Sequence, residues 1–284
     1  MLARIRGHWH VTKHIPRCWR AVRRLRGYKP QPVTLSLVLK WLCQFGWADR
    51  DAVLSLLEAV DYISERETEK RLVGLNQALL NRLQGDGIGM ESVIYVQLHD
   101  PGSSSGVVLN MLRDAARLER RGCHFVDSSN VRGLNELTNQ LEKGAIIFVD
   151  DFAGTGNQFC GVRDYLAEYI VGQFAEFFLL PCICEEAIYQ LGKRAVEAVS
   201  GGVHSKADRP LHPNSTILGY ATKARLVELC CQIDRKAGLG YKGLATMVVL
   251  YRNAPNTVPL LLRGSIRQEP WRGVLPRTTD LPWN

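Results

Sequence analysis

Two hydrophobic rhythms divide the chain. Over residues 34–83 apolar side chains recur at helical spacing. Leu37, Val38, Trp41, Leu42 and Phe45 share one face behind Thr34, a residue type that caps helices. Asp49 opens a second such segment carrying Val53, Leu54, Leu57 and Val60. Ser64 and Glu67 form a capping box ahead of Leu72, Leu75, Leu79 and Leu83. Gly85, Gly87 and Gly89 then break the pattern. This block reads as a helical cap on a larger core, with a helix-turn-helix module as the alternative.

From Ser92 the rhythm changes. Short apolar runs at 92–98, 123–126, 145–149 and 176–182 read as strands. They alternate with helical patterns at 106–118, 134–141, 157–173 and 185–199. Segments of this length in this order form βαβ crossovers and a parallel sheet. Residues 200–215 make a polar loop, and long loops of this kind are often functional. A helix is expected over 221–236. Strands are expected over 244–251 and 258–263, around the Asn253-Ala254-Pro255-Asn256 turn. The expected fold is therefore α/β, a mostly parallel sheet with flanking helices preceded by an N-terminal helical block. Its boundaries are a basic, unstructured arm (1–30), the helical block (31–90), the α/β domain (91–265) and an irregular tail (266–284).

The net charge of +8 does not describe the body of the protein. Residues 1–30 hold nine Lys/Arg and no acid, leaving 27 basic against 28 acidic residues elsewhere. Such an arm can touch nucleic acid or an anionic surface. It can also be a leader, although it has no serine, or a stretch translated ahead of the true domain. The eight cysteines form no CxxC and no zinc-like ladder, and most sit in apolar segments. They read as small buried hydrophobes of a reducing, cytoplasmic protein. No apolar run approaches the roughly 18 residues of a membrane span.

The chemistry concentrates where Ala145-Ile146-Ile147-Phe148-Val149 runs into Asp150-Asp151-Phe152-Ala153-Gly154-Thr155-Gly156-Asn157-Gln158. A continuous apolar run is a buried parallel strand, and ligands of such sheets bind beyond the strands' carboxyl ends. The glycine loop can present backbone N–H groups to an anion at a helix start. Acids beside an anion cradle suit a sugar phosphate, with hydroxyls for the acids and phosphate for the loop. A Walker B reading lacks its GxxxxGK[ST] partner, and a dinucleotide loop would need a glycine at Phe159. A phosphatase nucleophile would want an aspartate at Ala153. Helix capping remains a further reading of Asp150 and Asp151, although one aspartate suffices for that.

An apolar strand, two acids, a hydrophobe and a Thr/Gly-rich loop resemble the ribose-phosphate motif of type I phosphoribosyltransferases. The resemblance implies that Asp150 and Asp151 meet the ribose hydroxyls and act in catalysis. It implies that Ala153, Gly154, Thr155, Gly156 and Asn157 hold the 5′-phosphate. Gly154 and Gln158 stand where hydroxyl residues are usual, which removes phosphate contacts. It also places a pyrophosphate loop after the first core strand, at Asp100, Gly102, Ser103, Ser104 and Ser105, directly before a helix. Taken alone, Asp100-Pro101-Gly102 is an ordinary turn. A flexible catalytic loop would fall at 127–132, with Arg132 within reach of a pyrophosphate. The loop holding His204, Lys206, Arg209 and His212 offers an alternative.

Together with Gly240-Tyr241-Lys242-Gly243 and Asn253-Ala254-Pro255-Asn256-Thr257-Val258-Pro259-Leu260, these features resemble the PRTase-CE group over about 33–263. That group is a phosphoribosyltransferase-like family of presumed effectors in bacterial antiphage systems. The resemblance implies phosphoribosyl pyrophosphate or a nucleotide as ligand, Mg²⁺ as cofactor, no metal cage built from protein alone, and partner proteins of a defence system. Phosphoribosyl transfer or hydrolysis is one implied activity. The other is a non-catalytic nucleotide sensor whose helical module and basic arm meet DNA.

Overall fold

The computed structural model describes residues 13–98, 104–264 and 271–278. The first elements are α1 (Ile15–Arg24), α2 (Leu35–Leu42), α3 (Arg50–Glu58), β1 (Asp61–Ile63) and α4 (Glu65–Gly85). Next come β2 (Val93–Gln97), α5 (Ser104–Ala116), β3 (His124–Asp127), α6 (Val131–Leu141) and β4 (Lys143–Val149). They are followed by α7 (Asn157–Leu166), β5 (Gln173–Leu180), β6 (Ile183–Cys184), α8 (Glu185–Gly192), β7 (Val196–Ser200) and β8 (Val203–His204). The last are α9 (Tyr220–Ile233), β9 (Val248–Leu250) and α10 (Leu260–Arg263). The chain separates into two compact units, residues 66–204 and residues 1–65 with 205–284.

The 66–204 unit is built on a five-stranded sheet of order β3-β2-β4-β5-β7. Every pairing is parallel. Ile146, Ile147, Phe148 and Val149 of β4 are fully buried, as a central strand covered on both faces requires. One face buries Ile94, Ile146, Phe148 and Phe178 under α6, α7 and α8. The other buries Tyr95, Ile147, Phe177 and Leu179 under α5 and α4. The crossovers supply only α5 to this second face, so α4 completes its cover with Leu72, Leu79, Leu80 and Leu83. In this way the last helix of the 34–83 pattern joins the α/β unit. Inside that layer the Tyr95 hydroxyl donates to Asn76 Oδ1 at 2.6 Å, satisfying two polar groups that would be costly if buried alone.

The other unit encloses its own apolar core, from Cys18 and Leu25 of the N-terminal segment to Val274 and Leu275 near the C-terminus. The basic arm was expected to be unstructured, yet residues 15–24 form α1. Arg17 donates to Glu58 at 2.9 and 2.6 Å, and Cys18, Ala21, Leu25 and Tyr28 enter the core. The apolar spacing of these four residues is helical, but charge density hides it. Thr34 caps α2 as its residue type suggests, its hydroxyl accepting from the Leu37 N–H at 3.2 Å. Trp41 Nε1 donates to the Leu261 carbonyl at 2.8 Å. The Tyr28 hydroxyl donates to the Pro276 carbonyl and accepts from Ala254 N–H. β1 pairs in parallel with β9.

Further stretches also differ from the sequence reading. The run 185–199 breaks into α8 and β7, with Ala195 at φ +54 between them. Val196 and Val199 satisfy helical spacing, but the exposed edge of β5 takes them as a strand. Residues 260–263 form α10 rather than a strand. Leu260, Leu261 and Leu262 are all buried, and a short wholly apolar run carries no period to separate the two states. Asp49 does not cap α3 with its side chain. Its carboxylate instead accepts from Arg225 on α9 at 2.7 and 2.9 Å.

Candidate functional site

Relabelled within the sheet, the strand order is 2-1-3-4-5, so the direction in which strands are added across the sheet reverses between β2 and β4. In open α/β sheets, ligands bind in the crevice outside the strand ends at this reversal. Gln97, the last residue of β2, pairs with Val149, the last residue of β4. The residues that follow, Leu98 and Asp150, therefore emerge side by side.

Two serines at the start of α5 join these strand ends. The Ser105 hydroxyl is fully buried, accepts from Leu98 N–H at 2.8 Å and donates to the Val149 carbonyl at 2.6 Å. The Ser104 hydroxyl donates to Asp150 Oδ1 at 3.2 Å, an oxygen that also accepts from Asp151 N–H at 2.8 Å. Asp100, Gly102 and Ser103 lie outside the described residues. Gly106 follows, and a Cβ there would come within 2.9 Å of the Gln97 side chain. Glycine thus leaves room for the end of the Gln97 side chain beside the first turn of α5.

Asp150 and Asp151 lie next to each other at the rim. Burial, then the neighbouring Asp151 carboxylate, holds the Asp150 carboxyl well above the usual carboxylate range. The hydrogen bonds from Asp151 N–H and Ser104 act in the opposite direction and do not reverse the balance. No cation offsets Asp150 among the described residues.

The glycine loop is held from below. Ala153 bridges to Ile183, and its carbonyl accepts from Cys184 N–H at 2.9 Å. β6 and β8 pair in parallel, so Ala153, Ile183 and Val203 form a small ladder beyond the main sheet. Gly156 has φ +74, and a Cβ would lie 3.1 Å from Ala187 Cα. Only glycine meets both demands without strain. Asn157 then opens α7, its N–H donating to Thr155 Oγ1 at 3.3 Å. Phe159 anchors the helix by stacking on Phe178 at 4.2 Å and meeting Phe148 edge-on at 5.2 Å. Such pairs contribute about 0.5–1.5 kcal/mol beyond burial. The N-terminus of α7 thereby rests over the β4 end, where its exposed N–H groups favour an anion.

The structure thus brings Ser104, Ser105, Asp150, Asp151 and the loop 153–157 to one strand reversal. Arg132 belongs to the crossover between β3 and β4. It lies in the first turn of α6, after the edge strand β3, 88% exposed and paired with Glu136 at 2.8 Å. Asn130 caps that helix through Gly133 N–H. Of the long polar loop, His204 belongs to β8. Lys206, Arg209 and His212 belong to the other compact unit, where Arg209 is buried. The sequence reading missed the Gln97 side chain, which donates to Asp127 Oδ2 at 2.9 Å and ties the ends of β2 and β3. A polar residue closing an apolar strand was the available signal. It also missed β6, whose two residues are too few to show a period.

Among the described residues no three or more His, Cys, Asp or Glu side chains converge as a metal site, and no helix is long and apolar enough to cross a membrane. None of the curated proteins matches the chain. Among solved structures it is similar to the crystal structure of orotate phosphoribosyltransferase from Aeropyrum pernix. The identity is 22%, over 44% of this chain and 67% of that one, with a TM-score of 0.30. The sequence model of PRTase-CE matches residues 38–277, most of the chain, and spans both the acid–glycine motif and the Asn253–Asn256 turn. The chain belongs to the PRTase-CE family, and its parallel α/β fold is phosphoribosyltransferase-like.

Proposed function

We propose that the protein binds phosphoribosyl pyrophosphate, or a nucleotide sharing its ribose 5-phosphate, at the reversal between β2 and β4. The observation that carries this reading is the junction of Ser104, Asp150 and Asp151 beside the Gly156–Asn157 helix start. Asp150 and Asp151 would accept hydrogen bonds from the ribose hydroxyls. Ala153, Gly154, Thr155, Gly156 and Asn157 would hold the 5′-phosphate through backbone N–H groups. The pyrophosphate would lie toward Ser104, with Asp100, Gly102 and Ser103 just ahead of it in the chain.

The donor set fits Mg²⁺. Two adjacent carboxylates, with no third His, Cys, Asp or Glu converging on them among the described residues, suit an ion held mainly by water and phosphate oxygens. Asp150 and Asp151 would meet it, and a cation there would offset the burial and repulsion that hold the Asp150 carboxyl above the usual carboxylate range. When bound, Mg²⁺ supplies neutralising charge to the pyrophosphate.

The reaction supported by this arrangement is group transfer at the anomeric carbon. The bond from that carbon to the pyrophosphate oxygen breaks, pyrophosphate leaves with the electron pair, and a base or water bonds to the carbon. The carboxylates would offset the positive charge developing on the ribose, and positioning would do most of the rest. The family resemblance supports a role as a cytoplasmic defence effector acting with partner proteins. The sensor reading is favoured by one observation, the engagement of Arg132 with Glu136 within its own helix. Direct contact with DNA is less supported, because Arg17 and Arg24 of the basic segment are bound to Glu58 and to the carbonyls of Leu57 and Glu58.

Calorimetry with phosphoribosyl pyrophosphate and Mg²⁺, followed by an assay for released pyrophosphate, tests the proposal. Binding is expected for the native chain. Asp150→Asn with Asp151→Asn is expected to weaken it by roughly 100-fold or more, since hydrogen bonds to charged groups contribute about 1.5–3 kcal/mol each. The double variant should keep its cooperative melt. Unchanged affinity in a folded double variant would refute the assignment. Binding without turnover would select the sensor.

A further inference from the structure

His14 stands at the entry to α1, where that helix meets α3. Its side chain is 2% exposed, and its Nδ1 lies 3.3 Å from Asp51 Oδ1 in the first turn of α3. A carboxylate only accepts, so Nδ1 carries the proton and Nε2 of the neutral ring keeps its lone pair. Nε2 is buried and has no hydrogen-bond partner among the described residues. A second proton would create a buried N–H with nothing to receive it, and such a donor is costly. Asp51 offers limited compensation. The same Oδ1 already accepts from Arg17 Nη1 at 3.1 Å, and Oδ2 accepts from Lys13 at 3.1 Å.

We infer that His14 is an acid-sensitive latch: docking of α1 on α3 requires its neutral ring, and acidification releases the helix. Among the charges acting on the ring, Asp51 is an acid, while Lys13, Arg17 and Arg50 are cations that resist a further proton. α2 also packs on α1, and its single charged residue is a cation too, Lys40. Burial pushes the His14 imidazole below the usual histidine range; Asp51 opposes this, and Lys13, Arg17 and Arg50 add to it. The released helix therefore takes up a proton that the docked helix refuses, starting at about pH 6.5. From there down to the lowered value, each pH unit favours release by up to about tenfold. Release also frees Arg17 from Glu58, and Arg24 from the Leu57 and Glu58 carbonyls.

Hydrogen–deuterium exchange of the full chain between about pH 8 and pH 5, corrected for the intrinsic rate, tests the latch. The amides of residues 18–25 bond back along α1, from Cys18 N–H to the His14 carbonyl through to Leu25 N–H on the Ala21 carbonyl. They are expected to hold their protection down to about pH 6.5 and then to lose up to about tenfold per pH unit. The amides of β4 should lose none over that range. Asp51 and Glu58 titrate in a separate, lower window. Burial raises Asp51, but Lys13 and its neighbouring cations hold it below the usual carboxylate range, and the Arg17 hydrogen bond does so for Glu58. His14→Gln, which keeps a neutral donor for Asp51, is expected to flatten the profile of α1. Unchanged protection of native α1 at about pH 5.5, or an equal fall in His14→Gln, would overturn the inference. If His14→Gln leaves α1 unprotected at every pH, the ring nitrogens of the native chain are titrated by nitrogen-15 resonance. A midpoint below the ordinary histidine value of 6.5 supports the latch, and one at or above it refutes it.

Discussion

Two aspartates at element ends live in opposite surroundings. Asp49, ahead of α3, has its carboxylate gripped by both Nε and Nη2 of Arg225, whose hydrogen bonds hold it below the usual carboxylate range. Asp150, after β4, sits among buried atoms beside a second acid and is held above that range. The first arrangement is complete in the isolated chain, because charge meets charge. The second sets burial and a neighbouring acid against the charge of Asp150, so a group that hydrogen-bonds or neutralises that carboxyl is welcome there. Perturbed groups of the second kind gather at functional sites, whereas those of the first kind hold elements together. The same contrast extends to the backbone, since the loop after Asp151 keeps Gly156 at positive φ beside Ala187.

Three variants sharpen this contrast. Gly156→Ala has the largest expected effect on stability. It combines a positive φ with a Cβ 3.1 Å from Ala187 Cα, and such strain costs about 1–3 kcal/mol. Its unfolding midpoint in urea should fall, and affinity for ribose 5-phosphate should fall with it as the start of α7 moves. An unchanged midpoint would show that the loop carries no strain.

Asp150→Asn should act in the opposite direction. A carboxyl whose folded pKa is raised destabilises the fold once the pH exceeds its unfolded value of about 4, and the penalty grows until the folded pKa is passed. In metal-free buffer at pH 7 the variant should therefore melt higher than the native chain, and its advantage should shrink as the pH falls toward 4. A lower melting temperature at neutral pH would mean that Asp150 is a structural acid after all.

Asp49→Asn should have the smallest effect. Its partner Arg225 is 40% exposed, so solvent weakens the pair. Here the folded pKa is lowered, so the stabilisation is present above the unfolded value and is lost as the pH falls through the folded one. The variant should melt a few degrees lower at pH 7 and converge with the native chain in acid. A larger gap in acid than at neutral pH would contradict the ion-pair account.

Much of the site could be read in the sequence because its parts are local. The five apolar residues 145–149, rich in β-branched and aromatic types and bounded by a glycine loop, read as a buried strand, and Asp150 and Asp151 follow them by covalent connection alone. Gly156 announces a backbone that other residues resist. Thr34 announces a helix start, and its hydroxyl does cap α2. Elements were lost where local pattern is degenerate. The valines of β7 suit a helix as well as a strand until β5 offers an edge, and Leu260–Leu262 show no period at all. Helix α1 was lost because nine basic residues obscured four apolar ones.

The sequence by itself determined the alternating α/β pattern, the acid pair at the end of an apolar strand and the glycine loop beyond it. Each depends on contacts within a few residues, where periodicity and backbone preference suffice. The tertiary structure alone decided that β2 and β4 are neighbours and that α4 covers the face the crossovers leave bare. It alone decided that Ser104 meets the acid while Ser105 faces inward, and that Arg132 turns to Glu136. These outcomes depend on which strand ends emerge side by side. Strand order sets that, through burial of both sheet faces at once, and no single segment encodes it.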